Sequence, residues 1–159
     1  MKKIIVASVL AMGLMSTTAS AEVNVGLGLA VGASNATEAA GIRVPIDFDF
    51  GLRLEPELGF AKDIYTLAFG AYYTFMKVEE VNLFAGGRLG YTNVSSGPID
   101  FSGTSLQALV GAEYFVVPNR FSIAAQVGLE NATGGLNKSN NYGNTTFGTT
   151  GALIGHYFF

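Results

Sequence analysis

The chain has 159 residues, 49% of them hydrophobic and only 13% charged, with a formal net charge of −3 and a mean hydropathy of +0.36. An ordinary soluble domain is about 25% charged, so the composition is that of a membrane protein, yet beyond residue 15 no apolar run approaches the ~18 residues of a spanning helix. With no cysteine and one histidine, disulfides, thiolate chemistry and a multi-histidine metal site are excluded; the acidic balance argues against a nucleic-acid partner, and no motif calls for a cofactor.

Lys2 and Lys3 precede an apolar stretch from Ile4 to Met15, and Ala19-Ser20-Ala21 is a small-residue cleavage pattern. This predicts a secretory signal peptide over 1–21 and a mature domain over 22–159. From Val23 onward apolar residues recur at every second position, the period of a strand. Val23, Val25, Leu27, Leu29 and Val31 form one set, Ile42, Val44, Ile46, Phe48 and Phe50 a second, and Leu52, Leu54, Leu58 and Phe60 a third, broken only at Pro56. Tyr65, Leu67, Phe69, Ala71, Tyr73 and Phe75 form the fourth, and segments near 81–93, 104–117, 120–131 and 146–159 follow the same rule. The expectation is eight strands, with Pro45 costing one of them a ladder donor. Tight turns are predicted near 49–51, 78–80 and 118–120, where Pro118-Asn119 is a turn pair. Longer polar loops are predicted over 34–41, 94–103 and 132–145, with a short connection at Ala61 to Asp63.

The alternation fits either a soluble barrel or one turned inside out. The polar parity is largely Gly, Ala, Ser and Thr, whereas a solvent face would carry many more charges. On the apolar parity, Phe48, Phe50, Tyr73, Phe75, Tyr114, Phe121, Tyr157 and Phe159 fall at the tight-turn end, and Phe60, Tyr65, Tyr91 and Phe147 at the other. Two aromatic girdles at membrane interfaces explain that placement. The expected fold is therefore all-β, an eight-stranded antiparallel up-and-down transmembrane β-barrel in contact with outer-membrane lipid.

A cleaved signal, eight alternating strands and a last strand ending Tyr157-Phe158-Phe159 resemble the small outer-membrane barrels of the OmpX and OmpA type, the porin-family outer-membrane β-barrel domain of Gram-negative bacteria. Gly151 and Gly155 depart from that pattern by standing where larger apolar residues are usual. The resemblance implies an outer-membrane location, reached through the periplasm. It also implies that Tyr157 and Phe159 form the signal read by the barrel-assembly machinery, and that the surface loops serve adhesion or defence against host factors by meeting a host or cell-surface ligand.

An eight-stranded barrel is just wide enough for side chains to fill. Parity turns Arg43, Asp47, Asp49, Arg53, Glu55, Glu57, Arg88, Gln107, Glu113, Gln126, Glu130 and His156 inward. A buried charge must be paired, so Arg43, Asp47, Arg53, Glu55, Glu57, Arg88, Glu113 and Glu130 are expected to form a charge network. It would act as a salt-bridged plug or, alternatively, line a narrow path for ions or small solutes. Ser122 and His156 share the inward parity on neighbouring strands, with Glu113 on the strand before; these are the types needed for acyl transfer. Their position at the tight-turn rim, with Phe158 following His156, favours an interfacial histidine and no enzyme.

Overall fold

The computed structural model describes residues 23–34, 38–61, 63–96, 99–136 and 144–159. The expected signal peptide lies outside them. Nine strand segments follow in order: β1 (Val23–Ser34), β2 (Glu38–Arg43), β3 (Ile46–Phe48), β4 (Leu52–Ala61), β5 (Ile64–Val78), β6 (Val81–Ser96), β7 (Ile99–Val117), β8 (Phe121–Leu136) and β9 (Asn144–Phe158). Each pairs antiparallel with its neighbour, and β9 returns to β1 with Leu27 opposite Tyr157 and Ala33 opposite Gly151. The sheet is thereby closed and has no free edge.

β2 and β3 are two parts of one stave, which makes the barrel eight-stranded. Arg43 and Ile46 keep a single register against both neighbours, opposite Gly28 and Val25 on β1 and opposite Glu57 and Leu54 on β4. The interruption falls at Val44 and Pro45, because Pro45 has no N–H for the ladder. Two bonds still cross it: Val44 N–H donates to the Pro56 carbonyl at 3.0 Å and Gly26 N–H to the Pro45 carbonyl at 2.9 Å.

Three tight turns close one end. Gly51 takes a left-handed φ of 88° and donates to the Phe48 carbonyl at 2.9 Å; Glu79 and Asn119 also have positive φ, and Arg120 N–H donates to the Val117 carbonyl at 3.0 Å. Asp49, expected in the lumen, is instead exposed in the first of these turns. The strand ends at Phe48, and alternation has no meaning once the chain reverses.

At the opposite end the predicted long loops are shorter than their polarity suggested. β6 and β7 pair as far as Ser96 opposite Ile99, β8 and β9 as far as Gly134 opposite Asn144, and β1 and β2 as far as Ala33 opposite Glu38. Ladder bonds are made by the backbone, so Ser, Thr and Asn side chains do not end a strand whose two faces both meet water. Segments 35–37, 97–98 and 137–143 lie outside the described residues.

Most of the large apolar side chains are exposed on the outer face. Leu29, Val31, Leu67, Leu89, Val127 and Leu153 are each more than 60% exposed, and the aromatics of both predicted girdles are exposed apart from the half-buried Phe48.

Candidate functional site

The lumen holds one connected chain of charged and polar side chains. Arg43 on β2 pairs with Glu55 at 2.9 Å and with Glu57 at 3.1 Å, two residues that period-2 alternation aims at the same point from β4. Glu57 also pairs with Arg88 of β6 at 2.9 Å. Arg88 donates to the Gln107 amide oxygen at 3.2 Å, and Gln107 Nε2 donates to Glu130 Oε1 at 3.0 Å.

In the other direction Glu55 lies 3.3 Å from His156 Nε2, within ion-pairing reach, and His156 Nδ1 is 3.1 Å from Glu113 Oε1. Glu113 accepts two bonds from Arg53, at 3.1 and 2.8 Å, and one from the Ser122 hydroxyl at 2.6 Å. Arg53 then reaches Asp47. All eight residues of the expected network are thus brought together, and Gln107, Ser122 and His156 join them.

The serine, histidine and carboxylate meet, but in the wrong order for acyl transfer. Ser122 lies directly opposite His156 in register, yet its hydroxyl donates to Glu113, and both imidazole nitrogens face carboxylates. A nucleophile needs the base within reach of its proton; here the acid occupies that place. Nor is His156 interfacial. It is 1% exposed, and Ser122 is fully buried.

Parity reasoning restricted to charges missed the apolar part of the lumen. Ala30, Tyr72, Phe84, Leu109, Ala124 and Ile154 form a buried cluster, with the Tyr72 and Phe84 rings edge-to-face at 5.6 Å. Nearer the tight turns, Phe158 is 2% exposed, packs 6.0 Å from Phe115 and lies under the Arg53 guanidinium at 5.6 Å, a cation–π contact. The signal was present in Tyr72-Tyr73, Leu109-Val110 and Leu153-Ile154: in a strand, one member of any apolar doublet must face inward.

Small residues clear the space for these side chains. A Cβ on Gly28 would stand 2.5 Å from His156 Cδ2, one on Gly70 would meet the Tyr72 ring, and one on Gly41 would meet Glu57 Oε1 at 2.8 Å. Inside the barrel, then, long polar and aromatic groups interlock; outside, the surface is apolar.

No protein-family model and no curated protein matches the chain. Among solved structures it is similar to the N-terminal β-barrel domain of Pseudomonas aeruginosa OprF, at 14% identity over 88% of this chain and 100% of that one, with a TM-score of 0.61. It is also similar to Neisserial surface protein A, at 20% identity, 88% and 100% coverage and a TM-score of 0.52. The chain has the fold of a small outer-membrane β-barrel. The de novo designed protein TMB2.3 is similar as well, at 12% identity, 89% and 98% coverage and a TM-score of 0.53. In this barrel Tyr157 and Phe159 both point outward at the end of β9, the closing stave, with their rings 5.7 Å apart.

Proposed function

We propose that the protein is an integral component of a bacterial outer membrane, a sealed barrel that anchors itself in lipid and presents its polar hairpins at the cell surface. The observation that carries this reading is the inverted partition of side chains. Apolar groups such as Leu29, Val31 and Leu153 are exposed, while Arg43, Glu55, Glu113 and His156 are 3% exposed or less. Water would reverse that arrangement; hydrocarbon rewards it. The lumen side chains serve to tie the staves together, and no catalytic role is assigned to them.

The polar strand ends beyond Tyr65, Tyr91 and Phe147 would carry any contact with a host or cell-surface ligand, as extensions on a rigid scaffold commonly do. Tyr157 and Phe159 would be read by the barrel-assembly machinery. Membrane fractionation with an unheated gel tests the anchoring: the protein should remain in the outer-membrane fraction and migrate faster before heating than after. Recovery as a soluble periplasmic protein would overturn it. For the surface role, removing residues 94–103 and 132–145 should abolish cell binding while leaving that migration shift intact.

A narrow ion path is the second reading, supported by the continuity of the network from Asp47, whose side chain is 28% exposed, to Glu130. The apolar cluster beside the network weighs against it.

A further inference from the structure

Among the described residues, four of the five lumen carboxylates have a basic side chain at ion-pairing distance. Asp47 has Arg53, Glu55 has Arg43 and His156, Glu57 has Arg43 and Arg88, and Glu113 has Arg53 and His156. Glu130 has none. Its Oε1 accepts from the neutral amide of Gln107, its Oε2 has no hydrogen-bond partner, and the residue is 4% exposed. The guanidinium of Arg88 approaches this end of the chain but is held by Glu57 and the Gln107 oxygen.

An ionised carboxylate in a low-dielectric interior, half of it unpaired, is costly. A small cation at Oε2 would give that oxygen a partner and supply the countercharge that the other four lumen carboxylates have. There is also room for one: Gly148 stands opposite Glu130 on β9, and the next inward positions toward the long-loop end are Ser105, Ala132 and Thr146, none with a long side chain.

We propose that Glu130 is the anionic ligand of a small-cation site in the lumen, suited to an alkali-metal ion or ammonium and entered from the long-loop end. The hydroxyls of Ser105 and Thr146, at those positions on the flanking staves, are neutral oxygens of compatible chemistry. The site rests on lumen geometry alone and stands independently of the surface-display reading.

The test uses the full chain refolded in detergent micelles, unfolded with urea in potassium, sodium, ammonium or choline chloride at equal ionic strength. Wild-type protein should show a higher midpoint, rising saturably, with one or more of the three small cations than with choline, and Glu130→Gln should lose that difference. Wild-type crystals soaked in thallium(I), a potassium mimic, should show an anomalous peak at the Glu130 carboxylate, a readout that does not depend on the variant folding. Equal wild-type midpoints in all four salts together with no peak would overturn the proposal. So would a carboxylic-acid carbonyl stretch at neutral pH that disappears in Glu130→Gln.

Discussion

Arg53 on β4 grips Glu113 on β7 through two parallel hydrogen bonds of 3.1 and 2.8 Å, tying together staves that are not neighbours in the sheet. Both side chains are largely buried, at 11% and 2% exposed. Removing one partner of such a pair leaves an uncompensated charge and typically costs about 3–5 kcal/mol. Arg53→Ala should therefore lower the urea midpoint of the refolded barrel by an amount in that range. Arg53→Lys, which keeps the charge but not the two-pronged geometry, should fall between. A midpoint unchanged in Arg53→Ala would show that the cross-lumen tie contributes little.

How much of this was legible depended on which signal each residue gave. Arg43, Glu55 and Glu57 were readable because strand parity is rigid: once one member of a strand faces inward, every second residue follows. Asp49 failed by the same rule, because parity ends where the chain turns. The polar segments 34–41, 94–103 and 132–145 read as loops because composition reports side chains, whereas the ladder is made by the backbone and runs on to Ala33 opposite Glu38, Ser96 opposite Ile99 and Gly134 opposite Asn144. Contacts such as Ser122 with Glu113, or Arg53 over Phe158, were beyond sequence reasoning, since they depend on rotamers and on the stagger between staves.

The lumen should not conduct ions from one end of the barrel to the other. The charged chain leaves little free polar surface, and Tyr72, Phe84, Leu109 and Ile154 fill the space beside it. Planar-bilayer recordings of refolded wild-type protein are expected to stay at baseline. Arg88→Ala should lower the unfolding midpoint, because it removes one of the two arginines paired with Glu57 and the bond to the Gln107 amide oxygen, without producing conductance, because the apolar cluster is untouched. Steps of conductance in the wild type, altered by Arg88→Ala, would favour the narrow-path reading.

Two glycines separate packing inside the barrel from packing outside it. A Cβ on Gly128 would collide with the Ala108 carbonyl oxygen and lie 2.8 Å from Leu109 Cδ2, whereas on Gly87 it would meet only the Gln107 carbonyl oxygen at 3.4 Å. Overpacking costs about 1–3 kcal/mol, while replacing a strand glycine where there is room should gain about 0.5–1 kcal/mol from reduced chain entropy. Gly128→Ala should thus reduce the midpoint and refolding yield, and Gly87→Ala should leave them equal or higher. The reverse order would contradict the placement of these positions.

Ser122 offers a test of whether the buried polar cluster has chemistry to do. Its hydroxyl bonds Glu113, which keeps both Arg53 bonds and the His156 contact without it. Loss of one hydrogen bond to a charged group costs about 1.5–3 kcal/mol. Ser122→Ala should show a destabilisation of that size and an envelope lipid profile identical to wild type. A changed acylation pattern would reinstate the serine as a nucleophile.

Phe159 can be altered with little consequence for the folded barrel. Its ring is 83% exposed and touches Tyr157, while its backbone N–H donates to the Val25 carbonyl at 3.1 Å, a bond that any residue but proline can make. Phe159→Ala should therefore leave detergent refolding and the unfolding midpoint within about 0.5 kcal/mol of wild type, as surface substitutions usually do. If the terminal aromatics are the mark read during assembly, the same substitution should slow insertion in cells, seen as periplasmic accumulation of heat-unmodifiable protein. Tyr157→Ala should act in the same direction, because both rings project from the outer face of the closing stave. Normal insertion of the double variant in cells would remove that role, and a matching defect in detergent refolding would reassign it to folding.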